Sequence, residues 1–288
     1  MKRLLIAGSL LISGMATEPV FATESAAVDR QSYRCEKLDG GQLDLSGARV
    51  TFEDTFEKHS ITPADGSGPW YASVHGGFGG AKFLPPGGPG KGPFLFEDGH
   101  LVIRMEKIDG KWYSGIIQSV NKAGQGFSQQ YGYFEMRAKF PAGLSNWPAF
   151  WLKTVNEYTD KTQPRGEIDV IEAYGGGGKN GYHASVHVWP PNIRNSETAD
   201  MKHWGASCIQ RIDSGLFDGE FHTYGADVSP DWIQIYFDRK LIARFPMLPE
   251  FRKPLFPLVD LAYFAKDKRT DDQPSDMIVD YVRVWQRS

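Results

Sequence analysis

The 288-residue chain has only two cysteines, a formal net charge of −3, and no apolar run long enough to cross a bilayer. Each scarcity excludes something. Cys35 and Cys208 are too few for a disulfide-dense scaffold, and neither has metal-ligand spacing. In an exported chain the two could form one disulfide, a pairing that their wide separation in sequence leaves open. A near-neutral charge lacks the basic footprint of a nucleic-acid binder, so no nucleic-acid partner is expected. No strong helical run and no repeat of fixed period is visible. The one concentrated apolar stretch, Leu4 to Met15, follows Lys2 and Arg3 and is too short for a membrane span. With Val20-Phe21-Ala22 at the cleavage positions, residues 1–22 read as a secretory signal peptide. The alternative, a membrane anchor, lacks a stop-transfer pattern. The expected product is secreted or periplasmic, with no membrane attachment in its mature form.

Aromatic residues and strand-like runs are abundant. Phe, Trp and Tyr make up 13% of the chain. Such content suits the stacking of flat ligands, and equally an ordinary β-rich core. Residues 23–45 are polar and mixed and read as a loose leader, with a domain over 46–288. "HLVIRMEK" (100–107), "YGYFEMRAKF" (131–140), "GYHASVHVW" (181–189), "DWIQIYFDRKLIARF" (231–245) and "MIVDYVRVWQ" (277–286) read as strands. Many alternate with period two, and Gly, Pro and Asp-Gly separate them. The expected fold is all-β, a single antiparallel sandwich or jelly roll.

Alternation assigns faces. In "NWPAFWLK", Trp147, Ala149 and Trp151 share one face, while Phe150 and Leu152 point to the other. The two tryptophans fit a sugar-binding floor or a core. In "YHASVHVW", His183, Ser185, His187 and Trp189 share a face, a polar and aromatic mixture that suggests a cleft lining.

"RGEIDVIEAYG" (165–175) is the unusual stretch. Glu167 and Asp169 share a face because residues two apart on a strand point the same way. Glu172 is out of phase unless one extra residue, a β-bulge at Val170–Ile171, restores it. All three acids then face one cleft. Crowded carboxylates raise the pKa of at least one of them, and an acid still protonated near neutrality can protonate a leaving group. Glycoside hydrolysis uses this division: one ionised carboxylate and one protonated acid, roughly 5–5.5 Å apart in retaining enzymes. The competing readings are a solvated edge strand and a calcium site. Calcium takes 6–8 oxygens, normally from a loop, whereas this segment is apolar between its acids.

These residues carry a resemblance to glycoside hydrolase family 16. "GEIDVIE" is similar to that family's E-x-D-x-x-E signature in its bulge-containing form. "YGYFEMRAKFPAG" (131–143), "WPAFWL" (147–152), "FHTYGADVSPDWIQIYFDRKLI" (221–242) and "MIVDYVRVWQ" (277–286) look like family blocks in family order, so the resemblance covers about residues 50–287. It implies a concanavalin A-like β-jelly roll with an open groove on its concave face. It implies Glu167 as nucleophile, Glu172 as acid/base, and Asp169 between them, hydrogen-bonded to Glu167. Trp147, Trp151, His187 and Trp189 would bind substrate, with His187 near the acid/base. No cofactor is implied for catalysis. A structural calcium on the convex side is implied for many members, with Asp280 matching one ligand.

The departures concern substrate. "HGGFGGAKFLPPGGPGKGP" (75–93) replaces a "GWGNxELQ"-like stretch, "SGIIQS" (114–119) lacks an Arg that many members carry, and "DLAYF" (260–264) replaces a frequent "NLAVGG". "GGGGKNG" (175–181) reads as a rim loop or a plain turn. The expected protein is a monomeric, retaining endo-β-glycosidase that hydrolyses a β-glucan or bacterial exopolysaccharide. A transglycosylase would use the same intermediate. A non-catalytic carbohydrate-binding jelly roll would lack at least one of the three carboxylates.

Overall fold

The computed structural model describes residues 29–72, 74–75, 77–87, 92–175, 181–210, 215–267 and 269–287. The expected signal peptide (1–22) and most of the "GGGGKNG" loop lie outside the described residues. Among the described residues no helix is long and apolar enough to cross a membrane.

Two large sheets face each other. The site-bearing sheet has eight strands. In spatial order these are Trp204–Gln210, Tyr182–Trp189, Arg165–Glu172, Asn146–Thr154, Leu255–Tyr263, Ile116–Gln118, Trp70–Ala72 and Ile61–Thr62. The back sheet has eleven, centred on Gly132–Lys139, Ser275–Gln286 and His222–Val228. Among the described residues helix is confined to Asn156–Thr159 and one 3-10 turn, Pro249–Phe251. The all-β jelly-roll expectation holds.

Period-two alternation explains why the sheets pack. Ile168, Val170, Phe150, Leu152, Ala184, Val186 and Val188 leave the site-bearing sheet on its inner side. They meet Phe134, Met136, Tyr224, Ala226, Met277, Val279 and Val282 from the back sheet. Burying each large side chain contributes about 1.5–3 kcal/mol.

Two readings need correction. The run 231–245 is a hairpin, Trp232–Phe237 and Lys240–Pro246, joined through Asp238 and Arg239. Both turn residues have positive φ, 47° and 60°, which suits a two-residue hairpin turn but usually calls for Asn or Gly. Here partners hold the turn. Arg239 makes two hydrogen bonds to the fully buried Glu135, at 2.9 and 2.8 Å, and Asp238 accepts the Thr223 N–H at 2.9 Å. The segment read as a loose leader is docked from residue 29 onward. Tyr33 is buried, Glu36–Lys37 pairs with the strand Lys240–Pro246, and Cys35 is bonded to Cys208 with Cα atoms 5.7 Å apart.

Asp280 is also corrected. It lies on the back sheet, as expected, but its Oδ2 accepts from Arg137 Nη1 at 2.5 Å, and its Oδ1 is 3.7 Å from His100 Nε2. A guanidinium and an imidazole do not suit an ion that requires 6–8 oxygen ligands. The residues around Asp280 do not fit calcium.

Candidate active site

Sheet register builds the site. Across from the Asn146–Thr154 strand, Lys153 faces Glu167, Trp151 faces Asp169 and Ala149 faces Glu172. Glu172 lies three positions after Asp169, yet their partners Trp151 and Ala149 are only two positions apart. The shift recurs on the other side, where Asp169 faces Ser185 and Glu172 faces His183. The extra residue sits at Val170–Ile171, and both of those side chains are fully buried in the core. The bulge thus keeps two apolar residues inside and three carboxyls outside.

These carboxyls line a cavity of about 460 Å³ together with Trp147, Trp151, His187 and Trp189. Every substrate-site residue expected from the sequence is therefore gathered there. Trp147 Nε1 donates to Glu172 Oε1 at 3.1 Å, and Tyr174 donates to the same oxygen at 3.3 Å. Trp189 stacks on His203 with centroids 4.0 Å apart.

Two details differ from the resemblance. The hydrogen bond of Asp169 is to His187 Nε2, at 3.1 Å, rather than to Glu167. His187 faces Glu167 in the register, so it sits beside the nucleophile position, and His183 takes the place opposite Glu172. The other ring nitrogen of His187 is 3.0 Å from His203 Nε2. Gly205 makes this possible, because a Cβ there would come within 2.4 Å of His187 Nδ1.

Trp151 also differs from a pure binding platform. It is only 5% exposed, packs edge-on against His75 at 5.1 Å, and donates from Nε1 to Asp260 Oδ1 at 2.8 Å. Trp151→Ala is expected to cost about 3–5 kcal/mol of stability, the range for truncating a buried aromatic. Chemical denaturation measures this; a loss below about 1 kcal/mol would return Trp151 to a binding-only role.

The electrostatics separate the acids. Burial raises the Glu167 pKa, and Glu172 adds to this, while Lys153 and His187 oppose it. The buried Trp189 indole N–H has no hydrogen-bond partner among the described residues, but it also favours the Glu167 charge. Burial first, then the negative charge of Asp169, pushes Glu172 up to about 7. Burial raises Asp169 while His187 holds it down. Burial disfavours the His187 imidazolium, but the Asp169 hydrogen bond and charge outweigh it, so the His187 pKa is raised. Glu172 is thus the acid that keeps a proton near neutrality, and Glu167 is the one that faces cations.

Sequence reasoning missed Lys153. It is 3% exposed, with Nζ 2.7 Å from Glu157 Oε2, 3.9 Å from Glu167 Oε2 and 3.4 Å from His75 Nε2. Glu157 in turn takes two hydrogen bonds from Arg165, at 3.0 and 2.9 Å. The alternation that placed Trp147, Ala149 and Trp151 on the groove face also places Lys153 there, so the signal was present. Replacing Lys153 by Met keeps the volume and removes the cation that favours ionised Glu167. The acidic limb of the kcat/KM profile is expected to move to higher pH, because a neighbouring cation favours the ionised carboxylate. An unchanged limb would remove Lys153 from this role.

Among the described residues, one set of three groups is close enough to share a metal ion: Glu167, Asp169 and His187, with ligand atoms within 4.8 Å. Asp169 already engages His187, and the Lys153 ammonium stands beside Glu167. That positive charge works against a cation.

Comparison with known proteins agrees with this geometry. Residues 90–261 match the model of the glycosyl hydrolases of family 16. The chain is similar to the endo-1,3-1,4-beta-glycanase ExsH of Rhizobium meliloti (strain 1021), 32% identical over 207 residues, which is 67% of this chain and 39% of that protein. It is similar to the endo-1,3-1,4-beta-glycanase EglC of the same strain, 34% identical over 205 residues, with the same two coverages. The chain thus spans well under half the length of these curated relatives. Among solved structures it is similar to SCLam, a non-specific endo-beta-1,3(4)-glucanase. There the TM-score is 0.64 and the identity 22%, over 89% of this chain and 96% of that one.

Proposed function

The chain belongs to the glycosyl hydrolases of family 16, and from that premise we propose that it is a retaining endo-β-glycosidase that cuts internal bonds of a β-glucan or a related exopolysaccharide. The observation that carries this reading is the bulged strand. It sets Glu167 opposite Lys153 and leaves Glu172, at about 7, as the neighbouring proton carrier.

The chemistry follows from these placements. Glu172 gives its proton to the glycosidic oxygen as the Glu167 carboxylate attacks the anomeric carbon. The C–O bond to the leaving sugar breaks, and a glycosyl ester forms on Glu167. Glu172, now ionised, takes a proton from water. The oxygen of that water attacks the same carbon and expels Glu167. Asp169, tied to His187, keeps negative charge beside Glu172 and so supports its proton. Lys153 and His187 favour the ionised form of Glu167. No metal or organic cofactor takes part.

The similarity to 1,3-1,4-β-glycanases favours a mixed-linkage or β-1,3 glucan as substrate. The single disulfide and the N-terminal signal-like segment favour export to an oxidising compartment. The enzyme is taken to act as a monomer.

A polysaccharide panel tests the proposal. Laminarin, lichenan, agarose, carrageenan, xyloglucan and bacterial exopolysaccharides are each incubated with the protein, reading reducing ends and product sizes. Oligosaccharides of several lengths from a β-glucan are expected. Monosaccharide release alone would contradict endo action, and larger products than the starting chains would mark a transglycosylase.

A further inference from the structure

One histidine reaches the site from outside the cavity. His203 is exposed and directly precedes Trp204–Gln210, the edge strand of the site-bearing sheet. It is not among the residues that line the cavity, and the double displacement does not use it. Two of its contacts nevertheless end on residues that do line it. Its Nε2 is 3.0 Å from His187 Nδ1, and its ring stacks on Trp189 with centroids 4.0 Å apart and planes at 25°.

The edge strand dictates this placement. Its register sets Gly205 opposite His187 and Trp204 opposite Val188. Trp204, Ala206 and Cys208 pack on the core, so period two puts His203, Gly205 and Ser207 on the groove side. One step further along the ladder, His203 comes beside Trp189. Gly205 leaves room over His187, and the His203 ring reaches across it. A Cβ at Gly205 would lie 2.4 Å from His187 Nδ1. The strand is anchored from its other face, because Trp204 packs edge-on against Tyr33 at 5.0 Å and Cys208 is bonded to Cys35.

His187 has two ring nitrogens, and the bond made by one sets the role of the other. Its Nε2 is 3.1 Å from Asp169 Oδ2, so that nitrogen donates to the carboxylate. Its Nδ1 faces a second imidazole nitrogen, and one proton between them satisfies both, whichever ring supplies it. A turn of the His187 ring would break both bonds at once. His203, His187 and Asp169 thus form one chain from the surface to a buried carboxyl. The same His203 ring covers Trp189, whose indole nitrogen is buried.

We propose that His203 is a positioning residue of the catalytic centre: its nitrogen locks the His187 ring onto Asp169, and its face holds Trp189 in the groove. It acts through these two side chains and not on the sugar. Asp169 in turn stands between Glu167 and Glu172 on the bulged strand, and His187 faces Glu167 in the register. A loosened His187 therefore disturbs the nucleophile side of the site. This inference rests on the glycosidase reading.

Three variants test it, and all are expected to fold because His203 is exposed. His203→Phe keeps a ring on Trp189 but removes the nitrogen. His203→Gln keeps a polar end for His187 but loses the ring, and His203→Ala removes both. The probe is soluble mixed-linkage β-1,3-1,4-glucan. His203→Phe is expected to lower kcat by about 10–100-fold, the scale of a small misplacement in a catalytic unit, with KM near the wild-type value. His203→Ala should lose as much in kcat and also raise KM, and His203→Gln should recover part of the kcat. The second readout is nitrogen NMR of the histidine rings without substrate. The wild type should show His187 with one fixed protonation pattern and an Nε2 proton protected from exchange with water. In His203→Phe that protection should be lost. Wild-type kcat in His203→Phe, or a His187 signal that the substitution leaves unchanged, overturns the assignment and leaves the glycosidase reading standing. A wild type that neither binds nor cuts any β-glucan overturns the glycosidase reading and the catalytic role of His203 with it.

Discussion

Glu167→Gln is expected to abolish turnover, with kcat falling by about 10⁴–10⁶-fold, the scale seen when a nucleophile acting as part of a catalytic unit is removed. The amide keeps the shape of the side chain but cannot form the glycosyl ester. The fold is expected to survive, because the inner side of that strand is carried by Ile168, Val170 and Ile171. Glucan binding is also expected to persist, since the aromatic lining is untouched. Kinetics on a soluble glucan, with affinity retention on the same polymer, check both halves. Substantial remaining turnover would take Glu167 out of the nucleophile role.

Glu172→Gln has the next largest effect, and it depends on the leaving group. On polysaccharide, kcat is expected to fall by about 10²–10⁴-fold, the usual worth of general acid–base catalysis. On an aryl glycoside whose leaving group needs no proton, the first step should be nearly spared. The pH profile gives the sharper signature. In the wild type, Glu172 must be protonated to act, so activity is lost as pH rises through about 7. Glu167 must be ionised, so activity is lost as pH falls through its own raised value. The result is a bell, and its limbs belong to coupled groups rather than to single residues. In Glu172→Gln the alkaline limb should disappear while the acidic one stays. A persisting limb near pH 7 would assign the proton to another group, with Asp169 first in line.

The acidic strand was legible because its signal is local. Glu167, Asp169 and Glu172 are close in sequence, and the odd spacing of three between two polar positions can be accommodated only by a bulge, which the register shows at Val170–Ile171. The faces of the Trp147 and His187 strands were legible for the same reason. What escaped depends on contacts between distant segments. His75 comes from a Gly-rich stretch with no period, and Asp260 from a strand buried on both sides whose apolar run hides which face is which. The Asp238–Arg239 turn lacks the glycine that marks such turns, because Glu135, on another strand, holds the arginine. Cys35 and Cys208 lie 173 residues apart, and only the docking of the N-terminal segment brings them together. Lys153 was within reach, since its phase on the strand already placed it on the groove face.

The most direct measurement is proton NMR of the first product formed from a soluble β-glucan, taken before the anomers equilibrate. Double displacement through Glu167 predicts that the new reducing end appears as the β-anomer. An α-anomer appearing first would mean a single inversion by water, and would contradict a covalent intermediate on Glu167.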